Sequence, residues 1–137
     1  KESNQKKVFT APDAKILVVD DNKMNIKVLK ALLKQNKVQI DEAMSGKECL
    51  ALTEQNTYDL IFLDCMMPEM DGIETLHIMK EKKLCENTPV IVLTANAIVG
   101  AREQYLAEGF DDFVSKPVIP QALNEVLLKY LPEEKIL

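Results

Sequence analysis

Five short apolar runs recur along the chain, at Ile16–Val19, Val38–Ala43, Leu60–Leu63, Val90–Leu93 and Phe113–Val114. Four of them are unbroken and rich in β-branched residues, the pattern of parallel strands buried on both faces. The second, VQIDEA, alternates polar and apolar residues and reads as an edge strand. Helical patterns lie between the runs. Over 25–35, Ile26, Leu29, Leu32 and Leu33 share one face. Ser45 and Glu48 have the spacing of a capping box that opens a short helix through Gln55. A third helix is expected over 71–82, and a fourth runs through Ala107 to a C-terminal glycine at Gly109. The last starts near Pro120 and is expected to bury Leu123, Val126, Leu127 and Tyr130 before Pro132. Five strand–helix units in sequence, with no internal repeat, predict an α/β doubly wound sandwich with right-handed crossovers. Residues 1–13 are polar and lysine-rich and read as a linker or disordered N-terminal tail. The domain itself is expected over 14–132, with a short C-terminal tail at 133–137.

The strand-like runs end on polar signals. Asp20 and Asp21 follow the first, Asp64 the third, Thr94 the fourth, and Lys116 closes FDDFVSK. Ligands of open parallel sheets gather beyond the carboxyl ends of the strands, so three carboxylates, a hydroxyl and an ammonium are expected in one crevice. Clustered aspartates repel: unit charges about 4 Å apart cost roughly 4 kcal/mol at an effective dielectric near 20. A bound cation relieves that repulsion. All the donors are oxygens, so Mg²⁺ or Mn²⁺ suits the set better than zinc. Asp64 can then act as a nucleophile toward a cation-held phosphoryl group, giving an aspartyl phosphate. Lys116 neutralises one phosphoryl oxygen as a point charge, and the Thr94 hydroxyl donates to another. Taken alone, Asp20-Asp21-Asn22 reads equally well as a helix N-cap; the company of Asp64, Thr94 and Lys116 favours the site.

Composition removes other classes. The charge is −5 and Arg102 is the single arginine, which argues against direct nucleic-acid binding. Cys49, Cys65 and Cys85 are widely spaced, with no CxxC pair, and read as ordinary thiols in a reducing compartment. No apolar run is long enough to span a bilayer, so a cytoplasmic domain is expected, in a parent that could itself be membrane-anchored. GxGxxG and GxxxxGK[ST] are both missing, which disfavours a nucleotide-binding protein. An anionic first loop would repel the bare phosphate of a flavodoxin cofactor. A haloacid-dehalogenase phosphatase needs DxD where this chain has Asp64-Cys65-Met66. His77 reads as a surface or half-buried residue, since ETLHIMKE does not resemble a kinase dimerisation box.

The blocks LVVDDNKMNIKVL, LIFLDCMMPEMDG, IVLTANA and GFDDFVSKP resemble the signature blocks of response-regulator (CheY-like) receiver domains, most closely those of hybrid sensor histidine kinases. The resemblance spans roughly residues 14–131. It implies a flavodoxin-like five-stranded parallel sheet in the order 2-1-3-4-5. Asp64 would be the phosphoacceptor, and Mg²⁺ would be held by Asp20, Asp21, Asp64 and the backbone carbonyl of Met66. Lys116 would bridge to the phosphoryl group, with a cis Lys116–Pro117 bond. Thr94 would be the switch hydroxyl and Phe113 the switch aromatic, here without a phenol. Met66 and Asn96 would occupy positions that tune phosphoryl lifetime. The implied function is a phosphorelay receiver, supplied by a sensor histidine kinase or histidine phosphotransfer protein and switching a partner-binding surface. It would catalyse only its own phosphorylation and dephosphorylation, as a monomer or weak dimer, within a hybrid kinase whose full length could carry the kinase activity. A free-standing single-domain regulator and a non-turnover binding scaffold are the alternatives.

Overall fold

The computed structural model describes residues 9–95 and 100–137. In chain order it comprises β1 (Lys15–Val19), α1 (Lys23–Lys34), β2 (Gln39–Ala43), α2 (Gly46–Gln55), β3 (Leu60–Asp64), α3 (Gly72–Glu81), β4 (Val90–Thr94), α4 (Ala101–Glu108), β5 (Asp112–Ser115) and α5 (Pro120–Tyr130). One turn of 3₁₀ helix follows at Glu133–Lys135. The strands form one parallel sheet in the order β2-β1-β3-β4-β5, as the resemblance implied.

Strand alternation divides the core in two. Ile16, Val18, Leu60, Phe62, Ile91, Leu93 and Val114 face one side, where Ile26, Leu29 and Leu33 of α1 and Leu123, Val126 and Leu127 of α5 cover them. Leu17, Val19, Ile61, Leu63, Val90 and Val92 face the other, against Cys49 of α2, Leu76 and Met79 of α3, and Ala101 and Tyr105 of α4. β3 is buried at every position, so its alternate residues lock into opposite cores and its register cannot slip. β2 lies at the edge with a half-open pattern, as its alternation predicted.

Local chemistry sets the helix ends. Asn22 caps α1, its side-chain oxygen accepting the N–H groups of Met24 (2.9 Å) and Asn25 (3.2 Å). Ser45 accepts the Glu48 N–H at 3.0 Å, but the Glu48 carboxylate takes the Met44 N–H instead of the one on Ser45. The full reciprocal capping box occurs at α3, between Asp71 and Glu74. Gly109 ends α4 in the left-handed region, at φ 116°, as expected of a C-terminal glycine. Tyr130 departs from expectation: it is half-buried, not core, because its hydroxyl reaches out to donate to the Asp112 carboxylate at 2.9 Å. Packing also reaches past residues 14 and 132. Ala11 is buried, Phe9 packs on the α1/α5 core, and the Leu137 N–H donates to the Thr10 carbonyl at 2.8 Å.

Gly72 brings α3 against the end of β3. Its N–H donates to the Cys65 carbonyl at 2.9 Å, and a β-carbon there would stand 2.3 Å from the Asp64 carbonyl oxygen and 3.0 Å from the Cys65 Cα. Backbone cannot swing aside as a side-chain tip can. Gly72→Ala is therefore expected to destabilise the domain by about 1–3 kcal/mol, read as a lowered midpoint in urea unfolding, although alanine is the better helix former.

Candidate functional site

The carboxyl ends of four strands supply the site. The ladder continues one residue beyond β1, with the Asp20 N–H donating to the Ala43 carbonyl at 3.0 Å. Asp20 then turns inward, and its Oδ1 accepts the Asn22 N–H at 2.9 Å. Because Asn22 does the capping, the two aspartates are left to face the crevice. Asp64 and Thr94 are the last residues of β3 and β4. Lys116 follows β5, its N–H donating to the Thr94 carbonyl at 2.8 Å, and the Lys116–Pro117 bond is cis.

Carboxylate oxygens of Asp20, Asp21 and Asp64 lie within 4.8 Å of one another. The Lys116 ammonium donates to Asp64 Oδ1 at 2.7 Å and stands 3.3 Å from Asp20 Oδ2. That second contact is an ion pair without hydrogen-bond geometry, so Asp20 Oδ2 is a buried acceptor with no hydrogen-bond donor among the described residues. Asp20 and Asp64 are both buried, whereas Asp21 is exposed at the mouth. Burial, reinforced by the neighbouring Asp20, pushes the Asp64 carboxyl up to about 6, against the lowering influence of Lys116. For Lys116, burial pulls the ammonium down, but Asp64 and Asp20 outweigh it and hold the group above its ordinary value. Three carboxylates against one ammonium, with an unsatisfied buried oxygen among them, make a set that a hard divalent cation fits.

Thr94 is buried, and its Oγ1 lies 2.8 Å from the Tyr105 hydroxyl, a hydrogen bond in which either oxygen can donate. Phe113 is half-buried and lines a groove of about 410 Å³ with Pro117, Ile119, Val126 and Lys129. Met66 sits in the loop after Asp64 with its side chain 77% exposed. Asn96 lies outside the described residues. Cys65 is a packed thiol, raised chiefly by burial, and Cys49 is pushed up to about 12 by the same cause. Sequence reasoning missed Tyr105. Its signal was faint: Ala101 and Tyr105, four apart, are the two buried residues of AREQYLAE, whose other apolar residues, Leu106 and Ala107, blur the pattern.

The response regulator receiver domain family matches residues 16–128. The chain is 35% identical, over 117 residues, to the signal transduction histidine-protein kinase BarA of Escherichia coli K12, covering 85% of this chain and 13% of BarA. It is 42% identical to the transcriptional regulatory protein ResD of Bacillus subtilis 168, covering 85% of this chain and 46% of ResD. It thus spans less than half the length of either relative. Among solved structures, the receiver domain of Francisella response regulator 1452 superposes with a TM-score of 0.78 at 35% identity, covering 86% of this chain and 96% of that one. The receiver domain of a sensor histidine kinase from Pseudomonas aeruginosa PAO1 superposes with a TM-score of 0.77 at 31% identity, covering 85% and 96%; it was solved with a magnesium ion coordinated in its active-site cleft. A parallel sheet in the order 2-1-3-4-5, an acidic crevice at its carboxyl edge and a family match across most of the chain converge: this chain belongs to the response-regulator receiver domains, the receiving modules of two-component phosphorelays.

Proposed function

We propose that Asp64 accepts a phosphoryl group from a phosphohistidine, and that Asp20, Asp21 and Asp64, with the Met66 carbonyl, hold the Mg²⁺ the transfer needs (Mn²⁺ fits the same donors). The observation that carries this reading is the buried Asp64 carboxylate pinned by Lys116 at 2.7 Å inside an acidic cluster. Lys116 engages Oδ1, fixing the carboxylate and leaving Oδ2 to form the new O–P bond as the N–P bond of the donor breaks and the imidazole departs with its electron pair. Lys116 is also placed to pair with phosphoryl oxygen as negative charge gathers there. Bound Mg²⁺ would supply neutralisation of the phosphoryl oxygens and of the repulsion among the carboxylates. Thr94 serves as the switch hydroxyl and Phe113 as the aromatic that follows it, altering the surface of α4, β5 and α5.

The donor is a protein surface, not only a small molecule. Met24 and Val28 on α1, Met66 after β3 and Ile119 before α5 are exposed apolar side chains, all from segments at or just beyond the carboxyl edge that holds the acidic cluster. Exposed apolar groups around a polar centre suit docking of a histidine-bearing helix. The match to BarA, and others to hybrid kinases of Dictyostelium discoideum, support a parent that is a hybrid sensor histidine kinase.

Incubation with acetyl phosphate and Mg²⁺, read by intact mass, is expected to add one phosphoryl group to the wild type and none to Asp64→Asn. Lys116→Ala should slow the addition by about 10²–10³-fold; labelling of Asp64→Asn at the wild-type rate would overturn the assignment.

Asp64 also makes stability depend on pH. Its folded value is raised above the unfolded one, so its favourable contribution is full below about pH 4 and is lost as pH rises through about 6. In metal-free buffer, Asp64→Asn should match wild type below about pH 4, gain between about 4 and 6, and be more stable by up to about 3 kcal/mol at neutral pH. Thermal melts across that range check the sign, and Mg²⁺ should narrow the gap by stabilising the wild type more than the variant.

Val28→Asp and Ile119→Asp separate docking from chemistry. Each should slow transfer from a phosphorylated histidine phosphotransfer protein by about tenfold or more, while labelling by acetyl phosphate proceeds at the wild-type rate.

A further inference from the structure

We infer that Tyr105 is a positioning residue that latches Thr94 in the resting state and so sets how readily the domain enters its phosphorylated conformation. The inference rests on the reading of Thr94 as the switch hydroxyl. The Thr94 and Tyr105 hydroxyls are 2.8 Å apart in a buried site, between the last residue of β4 and the middle of α4. The phenol is well anchored. Tyr105 is buried and meets Phe110 edge-on, with ring centroids 6.1 Å apart at 87°. Cys65, the residue next to Asp64, also neighbours the phenol.

The same contact ties α4 to the site. Helix α4 enters at Gly100 with no side-chain cap and buries only Ala101 and Tyr105, whereas α1 and α5 each bury three large aliphatic residues. Its hold on the sheet therefore leans on Tyr105. A Thr94 hydroxyl drawn toward a phosphoryl oxygen gives up the phenol, so the resting state is favoured by that bond and α4 loses part of its anchorage when it breaks. Phe113, the aromatic on β5, carries no hydroxyl with which to compete.

The test is a titration with beryllium trifluoride, a non-covalent phosphoryl mimic, in saturating Mg²⁺, followed by calorimetry and by amide NMR shifts. Tyr105→Phe keeps the ring and its packing and removes only the hydroxyl. It is expected to tighten fluoroberyllate binding roughly three- to tenfold, the weight of one neutral hydrogen bond, with the affinity for Mg²⁺ alone unchanged. In a Thr94→Ala background the same substitution should have no effect on fluoroberyllate binding, because the partner it releases is already gone. Unchanged or weaker binding by Tyr105→Phe, or a gain that persists without the Thr94 hydroxyl, would overturn the latch while leaving the Asp64 assignment standing. A wild type that binds no fluoroberyllate in Mg²⁺ would overturn the Asp64 reading and the latch with it.

Discussion

Burying a carboxylate beside another carboxylate, with one ammonium to share, is the constraint on which the rest of this domain depends. Asp64 and Asp20 lie within hydrogen-bonding or ion-pairing reach of the same Lys116 nitrogen, and the two acids reach it from different strands. Nothing local in the chain brings the three together; the sheet does. β3 ends on Asp64 after four apolar residues that alternate between two cores, so a slip of one residue would exchange both cores at once. The pairing of Thr94 with Ser115 then delivers Lys116 to the same edge. The precision of the site is borrowed from the packing of Leu60, Ile61, Phe62 and Leu63, none of which touches the chemistry.

Against that rigid sheet, the connections from the site outward are few and individually weak. Lys116 is tied to Thr94 through the backbone and to Asp64 through its ammonium, while the Thr94 side chain reaches Tyr105. Each neutral bond of this kind is worth about 1 kcal/mol net, small beside the burial that holds the strands. That disproportion is what a switch requires. On the proposed reading, a new charge at Asp64 would rearrange the hydroxyls without disturbing the sheet, and the rearrangement would leave through α4, whose buried residues are Ala101 and Tyr105.

Most of the architecture was legible in the sequence because its period signals agree with its turn signals. The four apolar runs, the alternating edge strand, the helical face of α1 and the C-terminal Gly109 each had a single physical reading. The acids and Lys116 stood out for a related reason: each follows an apolar run at the same end of the sheet, and their company favoured a shared site over separate helix caps. Side-chain pairing between elements was not legible. Ser45 and Glu48 had the spacing of a capping box, yet the carboxylate chose the N–H one residue earlier, and the reciprocal box formed at Asp71 and Glu74. Tyr130 had the periodicity of a core residue and a hydroxyl that drew it outward to Asp112. Tyr105 was the same problem reversed: an aromatic on α4 whose hydroxyl meets a partner on β4, which no spacing encodes.

The raised Asp64 carboxyl shows why such a site is kept despite its cost to folding. A carboxylate stripped of water is more basic, and a more basic oxygen is a better nucleophile toward phosphorus, so burial raises reactivity and lowers stability together. Lys116 opposes both effects, but incompletely, and among the described residues the oxygen left without a donor is on Asp20, not on Asp64, the proposed nucleophile. The deficit is thus located where a bound cation would remove it. Neutral residues in place of Asp20 and Asp21 would leave a phosphoryl group at Asp64 facing Lys116 alone. A buried carboxylate that costs the empty domain stability is, on this argument, the same feature that would make it responsive: cation and phosphoryl group, once bound, would offset the cost that burial imposes at Asp64.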